Sequence, residues 1–514
     1  MEDHKIHSLT DRRATAWSLN LENLKAHRST ILTGLLLWAA FGLFLALVQF
    51  STPDLPDNDG YYHIKLAYLM RTEGLKPAFP YLPLSILNPR EFYDHHFLFH
   101  VALIPFTFGD LRLGGKLAAV IFASLAFLSA WNLLKNQRVP YAALWALGLV
   151  AISEAFIYRM SITRAQSLSL AVLLLGLDWL LRRKHTRLIF LGFLYVWLYD
   201  AFPLLVIFAG AYVLAHWITE RRLDLRPLLY TSLGIGLGLL INPYFPHNIV
   251  FAVQHILPKL VETTQVSVGN EWYPYTTAQL LENSPLALAA FISGALALGL
   301  SGKRIDLRTL VSFGLACLFG LMLLQSRRFI EYFPPFARLF AAFAWTPLFQ
   351  AQAETQRRPL LRYLPAFALA LALIPGAWIT FTAARDSLQT AKPYQTYAGA
   401  SAWLAANTPA GARVFQTDWD DFPRLFFYNT HNTYLIGLDP TYMSIYDPVL
   451  YEQWVLITQG EVVRPSISIR GDFGARYILT DLRHRDFIVK AEQDPNLVEV
   501  YRDEDAVVYA VEDN

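Results

Sequence analysis

Two aspartates stand close together just after the first long apolar run of the chain. Asp57 and Asp59 lie in the segment Pro56–His63, beyond the apolar residues that end at Phe50. Carboxylates at a membrane surface can act as a general base or as metal ligands. Aspartate also caps helix starts, and a helix is expected from about Tyr61. The two roles are compatible, and we predict that Asp57 and Asp59 are catalytic.

Histidines follow in the same loop. His95 and His96 lie in Tyr93–His96, and His100 comes four residues after His96. A His96/His100 pair is only a weak zinc pattern, because structural zinc sites use more ligands. We predict that His95 and His96 bind the phosphate of a lipid-linked substrate. The alternative is that they form hydrogen bonds with lipid headgroups or the backbone.

A third loop carries one carboxylate among amide and aromatic groups. This residue is Glu271, in the segment Val268–Pro274. We predict that it assists the aspartates, with a solvated loop acid as the alternative.

Arginines occupy a short turn between two apolar runs. Arg327 and Arg328 lie there, and Tyr332 follows. The guanidinium group binds phosphate through two parallel hydrogen bonds, so we predict a phosphate site that includes these residues and Arg164. The alternative is that the arginines extend toward lipid headgroups.

An acidic and aromatic segment follows a strand-like run near the end of the chain. It contains Trp419 and Asp420, directly after the run 412–416. The carboxyl ends of strands are common ligand sites. We predict that Trp419 and Asp420 contact an acceptor, with plain surface decoration as the alternative.

The composition is that of a membrane protein. Of 514 residues, 54% are hydrophobic and only 16% are charged, and the mean hydropathy is +0.31. A soluble domain would have about a quarter charged residues. The net charge of +2 gives no case for nucleic acid, and the single cysteine, Cys317, excludes an intrachain disulfide.

Eleven apolar runs are predicted to cross the membrane. They are 31–50, 117–134, 141–158, 165–181, two within 188–218 divided near Asp200 and Pro203, then 228–241, 285–300, 310–324, 329–349 and 364–380. With a cytoplasmic N-terminus, this count places every short basic loop on one face, as the positive-inside rule requires.

The remaining segments then lie on the opposite face. We predict a transmembrane unit over residues 1–383, with extracytoplasmic loops 51–116 and 242–284. Residues 384–514 are predicted to form a small extracytoplasmic α/β domain, because helix-like 400–406 is followed by strand-like 412–416, 433–436, 477–480, 497–501 and 506–511. The basic N-terminus is expected to remain as a cytoplasmic tail.

Taken in order, these motifs resemble the GT-C superfamily of membrane glycosyltransferases, most closely the single-subunit oligosaccharyltransferases of bacteria and archaea. The resemblance rests on Asn58–Tyr61, Val268–Pro274, Arg328–Tyr332 and Trp419–Asp420. It implies that Asp59 and Glu271 approach a Mg²⁺ or Mn²⁺ ion, that Arg328 holds a lipid-linked phosphate, and that Trp419 and Asp420 recognise the acceptor. It also implies a bacterial or archaeal plasma membrane.

Two departures from the family pattern keep alternatives open. The family's second acidic pair would fall near 161–167, where this chain has Arg164 and no carboxylate. The family motif WWDYG becomes Asp418–Phe422 with the sequence DWDDF. Metal-dependent and metal-independent reactions therefore both remain possible, as do pyrophosphate and monophosphate carriers.

The sequence thus predicts transfer of a sugar or oligosaccharide from a polyprenyl-linked donor to a glycan, lipid or protein acceptor. Asp59 would be the base or a metal ligand, and Arg328 would hold the leaving phosphate. A flippase or a non-catalytic scaffold for glycan assembly is the alternative. No internal repeat of the kind found in transporters is visible, and the polar residues lie outside the predicted spans.

Overall fold

The computed structural model describes residues 28–256, 269–355 and 363–512. The N-terminal basic tail and Val268 lie outside the described residues. The long helices are α1 (Arg28–Gln49), α2 (Asp59–Glu73), α4 (Leu111–Asn136), α7 (Gln166–Leu181), α8 (Arg187–Leu198), α9 (Pro203–Glu220), α10 (Arg226–Leu240), α13 (Pro285–Ser301), α14 (Leu307–Leu323), α15 (Phe333–Thr355) and α16 (Leu364–Gln389). The shorter ones are α3 (Phe97–Leu103), α5 (Ala142–Leu147), α6 (Glu154–Ser161), α11 (His247–Phe251) and α12 (Thr277–Asn283).

Four of these helices are long and apolar enough to cross a membrane: α1, α4, α9 and α16. The count among the described residues rises to six if two bent pairs each form one span. On α16, Phe367 and Trp378 are exposed, which suits lipid contact and not water. The chain is therefore an integral membrane protein, while eleven crossings remain a prediction.

The run 188–218 is divided where the sequence predicts, since α8 ends at Leu198 and α9 begins at Pro203. The predicted span 141–158 is wrong in one respect, because it is not one continuous helix. Its second part, α6, is bent by 88° from the first. Ser153 accepts a hydrogen bond from the Phe156 N–H at 3.2 Å and so starts a new helix there.

Close backbone contact joins α8 and α10. A Cβ atom placed on Gly234 would lie 2.2 Å from the carbonyl oxygen of Ile189. Only glycine permits this approach, so α8 is held along α10 up to its carboxyl end near Tyr199.

The C-terminal part folds as a five-stranded sheet with helices. Its helices are α17 (Ala398–Asn407), α18 (Phe422–Tyr428), α19 (Thr441–Tyr446), α20 (Pro448–Thr458), α21 (Pro465–Gly471) and α22 (Arg485–Gln493). Its strands are β1 (Arg413–Gln416), β2 (Thr433–Tyr434), β3 (Tyr477–Asp481), β4 (Leu497–Arg502) and β5 (Ala506–Val511). All five strands lie at the predicted runs, within a few residues at their ends.

The strand order is β2-β1-β3-β5-β4. β1 is parallel to both β2 and β3, whereas β5 is antiparallel to β3 and β4. After β1 the chain forms β2 on one side of β1, and it later forms β3 on the other side. The strand order therefore reverses at a topological switch point, at the carboxyl ends of β1 and β3. The segment with Trp419 and Asp420 begins there.

This domain contacts the first loop directly. The Asn58 amide donates to the Asp420 carboxylate at 2.7 Å, and the Arg424 guanidinium donates to the Asn58 oxygen at 2.8 Å. Asp54 accepts from the Tyr394 N–H at 2.6 Å. These bonds position the domain against the loop that carries Asp57 and Asp59.

Replacing Gly234 with alanine should destabilise the protein by about 1–3 kcal/mol, because the added methyl group overlaps α8. Gly236, two residues along, is the matched control, since a Cβ there meets nothing within 4 Å. Gly236→Ala should be neutral or stabilising by up to about 1 kcal/mol. Thermal unfolding of both variants in detergent would check this, and equal midpoints would contradict the close-contact argument.

Candidate active site

The Arg164 guanidinium joins three carboxylates. It donates to both oxygens of Asp57, from Nε at 2.6 Å and from Nη2 at 2.8 Å. Nη2 also lies 2.8 Å from Asp59 Oδ2, and Nη1 lies 3.4 Å from Glu271 Oε2. Arg164 therefore binds the two aspartates of the first loop to the glutamate of a distant loop.

Arg159 extends this network toward the helical core. Its Nη1 lies 2.8 Å from Glu271 Oε2, and its Nε donates to Glu331 at 2.7 Å. The Glu331 side chain is fully buried. Arg159 lies on α6, so the bend before this helix is what brings its guanidinium to the two glutamates.

Arg328 lies on the other side of Glu271. Its Nη1 is 3.8 Å from Glu271 Oε1, and Nη2 donates a short hydrogen bond to the Tyr199 hydroxyl. The guanidinium also lies 4.9 Å from the centre of the Trp272 ring. It keeps 21% of its side-chain surface exposed, so it retains N–H donors for a ligand.

Two bonds fix the distance between Glu271 and Arg328. The Ser326 hydroxyl donates to the Glu271 carbonyl at 2.8 Å, and the Arg327 N–H donates to the Tyr273 carbonyl at 3.0 Å. The short 3₁₀ turn 270–272 is thereby tied to the turn that carries Arg328. Asp59, Glu271 and Arg328, predicted from separate motifs, are brought together in one site.

The capping alternative for the aspartates is not realised. α2 begins at Asp59 after Asn58, and no side-chain capping bond is made there. The carboxylates of Asp57 and Asp59 instead face Arg164.

Asp59 is the carboxylate best suited to take up a proton. It is paired through Oδ2 only, and Oδ1 has no partner among the described residues. The pKa of Asp59 is raised to about 7, because burial and the nearby carboxylates of Asp57, Asp420 and Glu271 together outweigh the lowering effect of Arg164. The network contains one more carboxylate than guanidinium groups: Asp57, Asp59, Glu271 and Glu331 against Arg159, Arg164 and Arg328. The excess negative charge also favours protonation of Asp59.

Glu271 behaves in the opposite way. Burial alone would raise its pKa, but the guanidinium groups of Arg159, Arg164 and Arg328 hold the pKa of Glu271 well below its usual range. It is therefore a permanent anion that orders three arginines, and it is not a proton acceptor.

The implied Mg²⁺ or Mn²⁺ ion does not fit this arrangement. The oxygens of Asp57 and Glu271, and Oδ2 of Asp59, all lie 2.6–3.8 Å from a guanidinium nitrogen. An ion bound by Asp59 and Glu271 would have to displace Arg164 or lie against its positive charge.

A different set of residues meets the spacing of a metal site. Within 28–256, 269–355 and 363–512, the only such group is Asp418, Asp421 and Asp481, with ligand oxygens within 4.8 Å of one another. Arg483 and His484 pair with Asp481 and partly neutralise this group. It lies in the C-terminal domain, and none of its members is a predicted ligand.

A cavity of about 350 Å³ opens beside Arg328. Arginine and amide groups face it together with Glu271 and hydroxyl groups. Its lining is Glu154, Ala155, Tyr158, Arg159, Asn270, Glu271, Tyr275, Asn283, Arg327, Arg328, Ser387 and Thr390. A cavity of this size and polarity suits an anionic group such as phosphate.

A buried histidine relay lies one helical turn from Asp59. Asp94 Oδ2 is 2.8 Å from His100 Nδ1, and His100 Nε2 is 2.7 Å from His63 Nδ1. With a neutral His100 that donates from Nδ1 to Asp94, His63 Nδ1 donates to His100 Nε2, and His63 keeps a lone pair on its Nε2. Both ring nitrogens of His100 are used, which leaves none for the weak zinc pair considered with His96.

The other predicted donor-binding residues differ in their positions. His96 stacks on Tyr199, with ring centres 5.3 Å apart, and so lies near Arg328. His95 stacks on Phe251 instead, with ring centres 5.1 Å apart. The Tyr332 hydroxyl is buried 3.0 Å from Ser169. Arg164, which was predicted to bind phosphate with Arg328, forms ion pairs with the carboxylates instead.

Of the two residues predicted to contact an acceptor, Asp420 accepts a hydrogen bond from Asn58. Trp419 lies against the start of the Glu271 loop, since a Cβ on Gly269 would be 3.8 Å from its ring. Both predicted acceptor residues therefore border the carboxylate network.

Sequence reasoning missed the roles of His63, Asn58 and Tyr199 in positioning the site. Arg159 was not among the residues predicted for the site. The available signal was its position five residues before Arg164, because Arg164 stands where the family pattern has acids.

The fold is similar to those of solved membrane glycosyltransferases, which confirms the resemblance at the level of the fold alone. It covers 93% of this chain and 74% of the Archaeoglobus fulgidus oligosaccharyltransferase in the apo form, with a TM-score of 0.63 and 14% identity. For the same organism's AglB with an inhibitory peptide and a dolichol-phosphate, the TM-score is 0.64 at 13% identity, again over 74% of that chain.

ArnT from Cupriavidus metallidurans bound to undecaprenyl phosphate is similar over 93% of this chain and 97% of that one. The TM-score is 0.56 and the identity 16%. No family model and no curated protein matches the sequence.

Replacing Arg159 with methionine should destabilise the protein by about 3–5 kcal/mol, because Glu331 is left as a buried charge without its partner. Thermal unfolding would measure the loss. The control is the double variant Arg159→Met with Glu331→Gln, which removes the stranded charge and should recover much of the stability. A double variant as unstable as the single one would contradict the ion-pair account.

Proposed function

We propose that the protein is a glycosyltransferase that transfers a sugar or oligosaccharide from a polyprenyl-phosphate or polyprenyl-pyrophosphate donor to a glycan, lipid or protein acceptor. The observation that carries this proposal is the connection of Asp59, which has one unpaired carboxylate oxygen, to Arg328 through Arg164 and Glu271. A base and a phosphate-binding cation thus lie on two sides of one site.

The donor phosphate binds at Arg328. This guanidinium borders the 350 Å³ cavity, and Arg327 lines the same cavity. Tyr199 and Trp272 hold the Arg328 side chain, so it is ordered before the ligand arrives. His96 stacks on Tyr199 and stands beside this phosphate position.

The acceptor is activated at Asp59. As the acceptor oxygen or nitrogen attacks the anomeric carbon, its proton passes to the unpaired Oδ1. The bond from the anomeric carbon to the phosphate oxygen breaks, and its electron pair stays with the phosphate, where Arg328 stabilises the charge. Direct displacement inverts the anomeric centre.

The reaction proceeds without a resident metal ion. Arg164 supplies a fixed positive charge among Asp57, Asp59 and Glu271, where the family resemblance implies a divalent ion. Of the two versions left open by the sequence, this favours a monosaccharide transferase that uses a polyprenyl-monophosphate donor.

The membrane arrangement completes the proposal. The chain crosses a bacterial or archaeal plasma membrane eleven times with a cytoplasmic N-terminus. The loops 51–116 and 242–284 and the domain 384–514 lie outside, and residues 1–383 form the transmembrane unit. The acceptor approaches between that domain and the first loop, near Trp419 and Asp420.

Asp59→Asn should lower kcat/KM by about 10²–10⁴-fold while donor binding stays near normal, because the base is lost and Arg328 is intact. The wild-type kcat/KM should fall as pH drops through about 7, since protonated Asp59 accepts no proton. This decrease in kcat/KM, the acidic limb of the pH profile, should be absent in Asp59→Asn. The measurement is glycosyl transfer in proteoliposomes with a polyprenyl-phosphate sugar.

Asp57→Asn is the matched control, because both oxygens of Asp57 are bound to Arg164. Removing this negative neighbour should shift the limb to lower pH without abolishing it. Full activity in Asp59→Asn would refute the assignment of the base. Substrate flux without transfer in wild-type vesicles would refute the enzyme and favour a flippase.

Transfer by wild-type protein should survive EDTA, with kcat changed less than about twofold at 25 °C, because Arg164 and not an ion balances the carboxylates. Arg164→Met in the same assay should lose activity, which shows that the assay reports on this site. Loss of wild-type transfer in EDTA, restored by Mg²⁺ or Mn²⁺, would contradict the metal-independent mechanism.

A further inference from the structure

A second polar cavity lies at the amino-terminal end of α8. The other end of this helix leads to Tyr199, which holds Arg328. The volume of this second cavity is about 440 Å³, larger than the cavity beside Arg328. It is formed where α8 begins, α9 ends and α10 begins. The 12 residues of α8 separate it from Tyr199 by about 18 Å at the helical rise per residue. It is therefore distinct from the candidate active site.

The lining of this cavity is almost entirely polar. It consists of Arg183, His185, Thr186, Tyr212, His216, Glu220, Arg222, Leu223, Asp224, Arg226 and Tyr230. No residue of this group belongs to the carboxylate network, and the proposed reaction uses none of them.

Two buried groups in the lining lack hydrogen-bond partners. They are the Tyr212 hydroxyl and His185 Nε2, and neither has a partner among the described residues. Tyr212 is 1% exposed and His185 is 7% exposed. Buried polar groups are nearly always satisfied, so such a pair facing one cavity indicates a missing ligand.

The charges of the lining favour an anion. Arg183 pairs with Glu220 at 2.5 Å, and Arg226 pairs with Asp224 at 2.7 Å. Arg222 makes no ion pair with any described residue, so one guanidinium is in excess of the two carboxylates. The hydroxyl, the imidazole and this guanidinium are the donors that a phosphate group requires.

The surroundings indicate a phosphate attached to a lipid. Exposed apolar side chains flank the cavity: Trp217 on α9 at 51%, Leu225 directly before α10 at 55%, and Leu229 on α10 at 62%. On a membrane protein, such side chains face acyl chains. A polar cavity at the helix ends with an apolar surface beside it matches a headgroup and its tail.

We propose that this cavity binds the phosphate of an anionic membrane lipid. Tyr212 and Arg222 donate to the phosphate oxygens, and the acyl chains lie along the exposed leucines of α10. The bound lipid joins α8, α9 and α10 at the end remote from Tyr199. It thereby stabilises the helix whose far end holds Arg328.

The test uses the full-length protein purified in detergent. Thermal unfolding is followed while phosphatidylglycerol, phosphatidylcholine or inorganic phosphate is added. Phosphatidylglycerol should raise the midpoint saturably, and phosphatidylcholine, which has a phosphate but no net charge, should do so less. An equal shift by inorganic phosphate alone would show a free-anion site and overturn the lipid assignment.

Matched variants locate the effect. Arg222→Gln and Tyr212→Phe should each weaken the apparent affinity for phosphatidylglycerol about tenfold, the loss expected for one charge-assisted hydrogen bond. Arg221→Gln should leave it unchanged, because Arg221 is adjacent in sequence but absent from the lining. Tyr509→Phe is a second control, since that hydroxyl is also buried, has no hydrogen-bond partner among the described residues, and lies in the C-terminal domain.

Each outcome decides the proposal without a transfer assay. Equal affinities in the wild type, Arg222→Gln and Tyr212→Phe would overturn it, as would equal weakening in Arg221→Gln. Native mass spectrometry of the same samples gives an independent readout. One phosphatidylglycerol retained by the wild type and lost from Arg222→Gln supports the site.

Discussion

The site depends on the pairing of buried charges, with the contact between Arg164 and Glu271 at its centre. Removing charged groups from water costs several kcal/mol for each ion, and this cost is offset only by well-placed opposite charges. Arg164 and Asp57 are 107 residues apart in the chain, and Arg159 and Glu331 are 172 apart. Since neither partner is tolerable alone, the network selects the one arrangement of helices and loops that brings all of them together.

This network also decides what chemistry each carboxylate can perform. Glu271 faces three guanidinium groups and stays ionised, so it orders the site without exchanging protons. Asp57 is bound through both oxygens. Asp59 has only one ion pair, and its pKa is raised to about 7. The division of roles thus follows from how many guanidinium contacts each carboxylate makes. A metal ion would have removed this difference by binding Asp59 and Glu271 alike.

Local signals were enough to predict the elements but not the pairings. The five strands were predicted because alternating apolar residues and turns mark them within a few positions. Asp59, Glu271 and Arg328 were singled out because charged residues beside apolar runs are rare. The pairing of Arg164 with three carboxylates was not predicted, since its partners are distant in sequence. The bend at Ser153 and the His63–His100 bond were missed for a related reason. Each depends on tertiary contacts, which produce no periodic pattern of residue types in the sequence.

Asn58 links the residues proposed to contact the acceptor to the proposed base. Its side chain donates to Asp420 and accepts from Arg424, so it is fixed by the C-terminal domain through both ends of its amide. It is also the residue between Asp57 and Asp59, at the rigid start of α2. A shift of the C-terminal domain would therefore move Asp59 relative to Arg328. A change of about 1 Å in such a distance is enough to slow a displacement reaction strongly. In the proposed reaction, an acceptor that holds the domain in place would therefore also fix the position of Asp59, the proposed base.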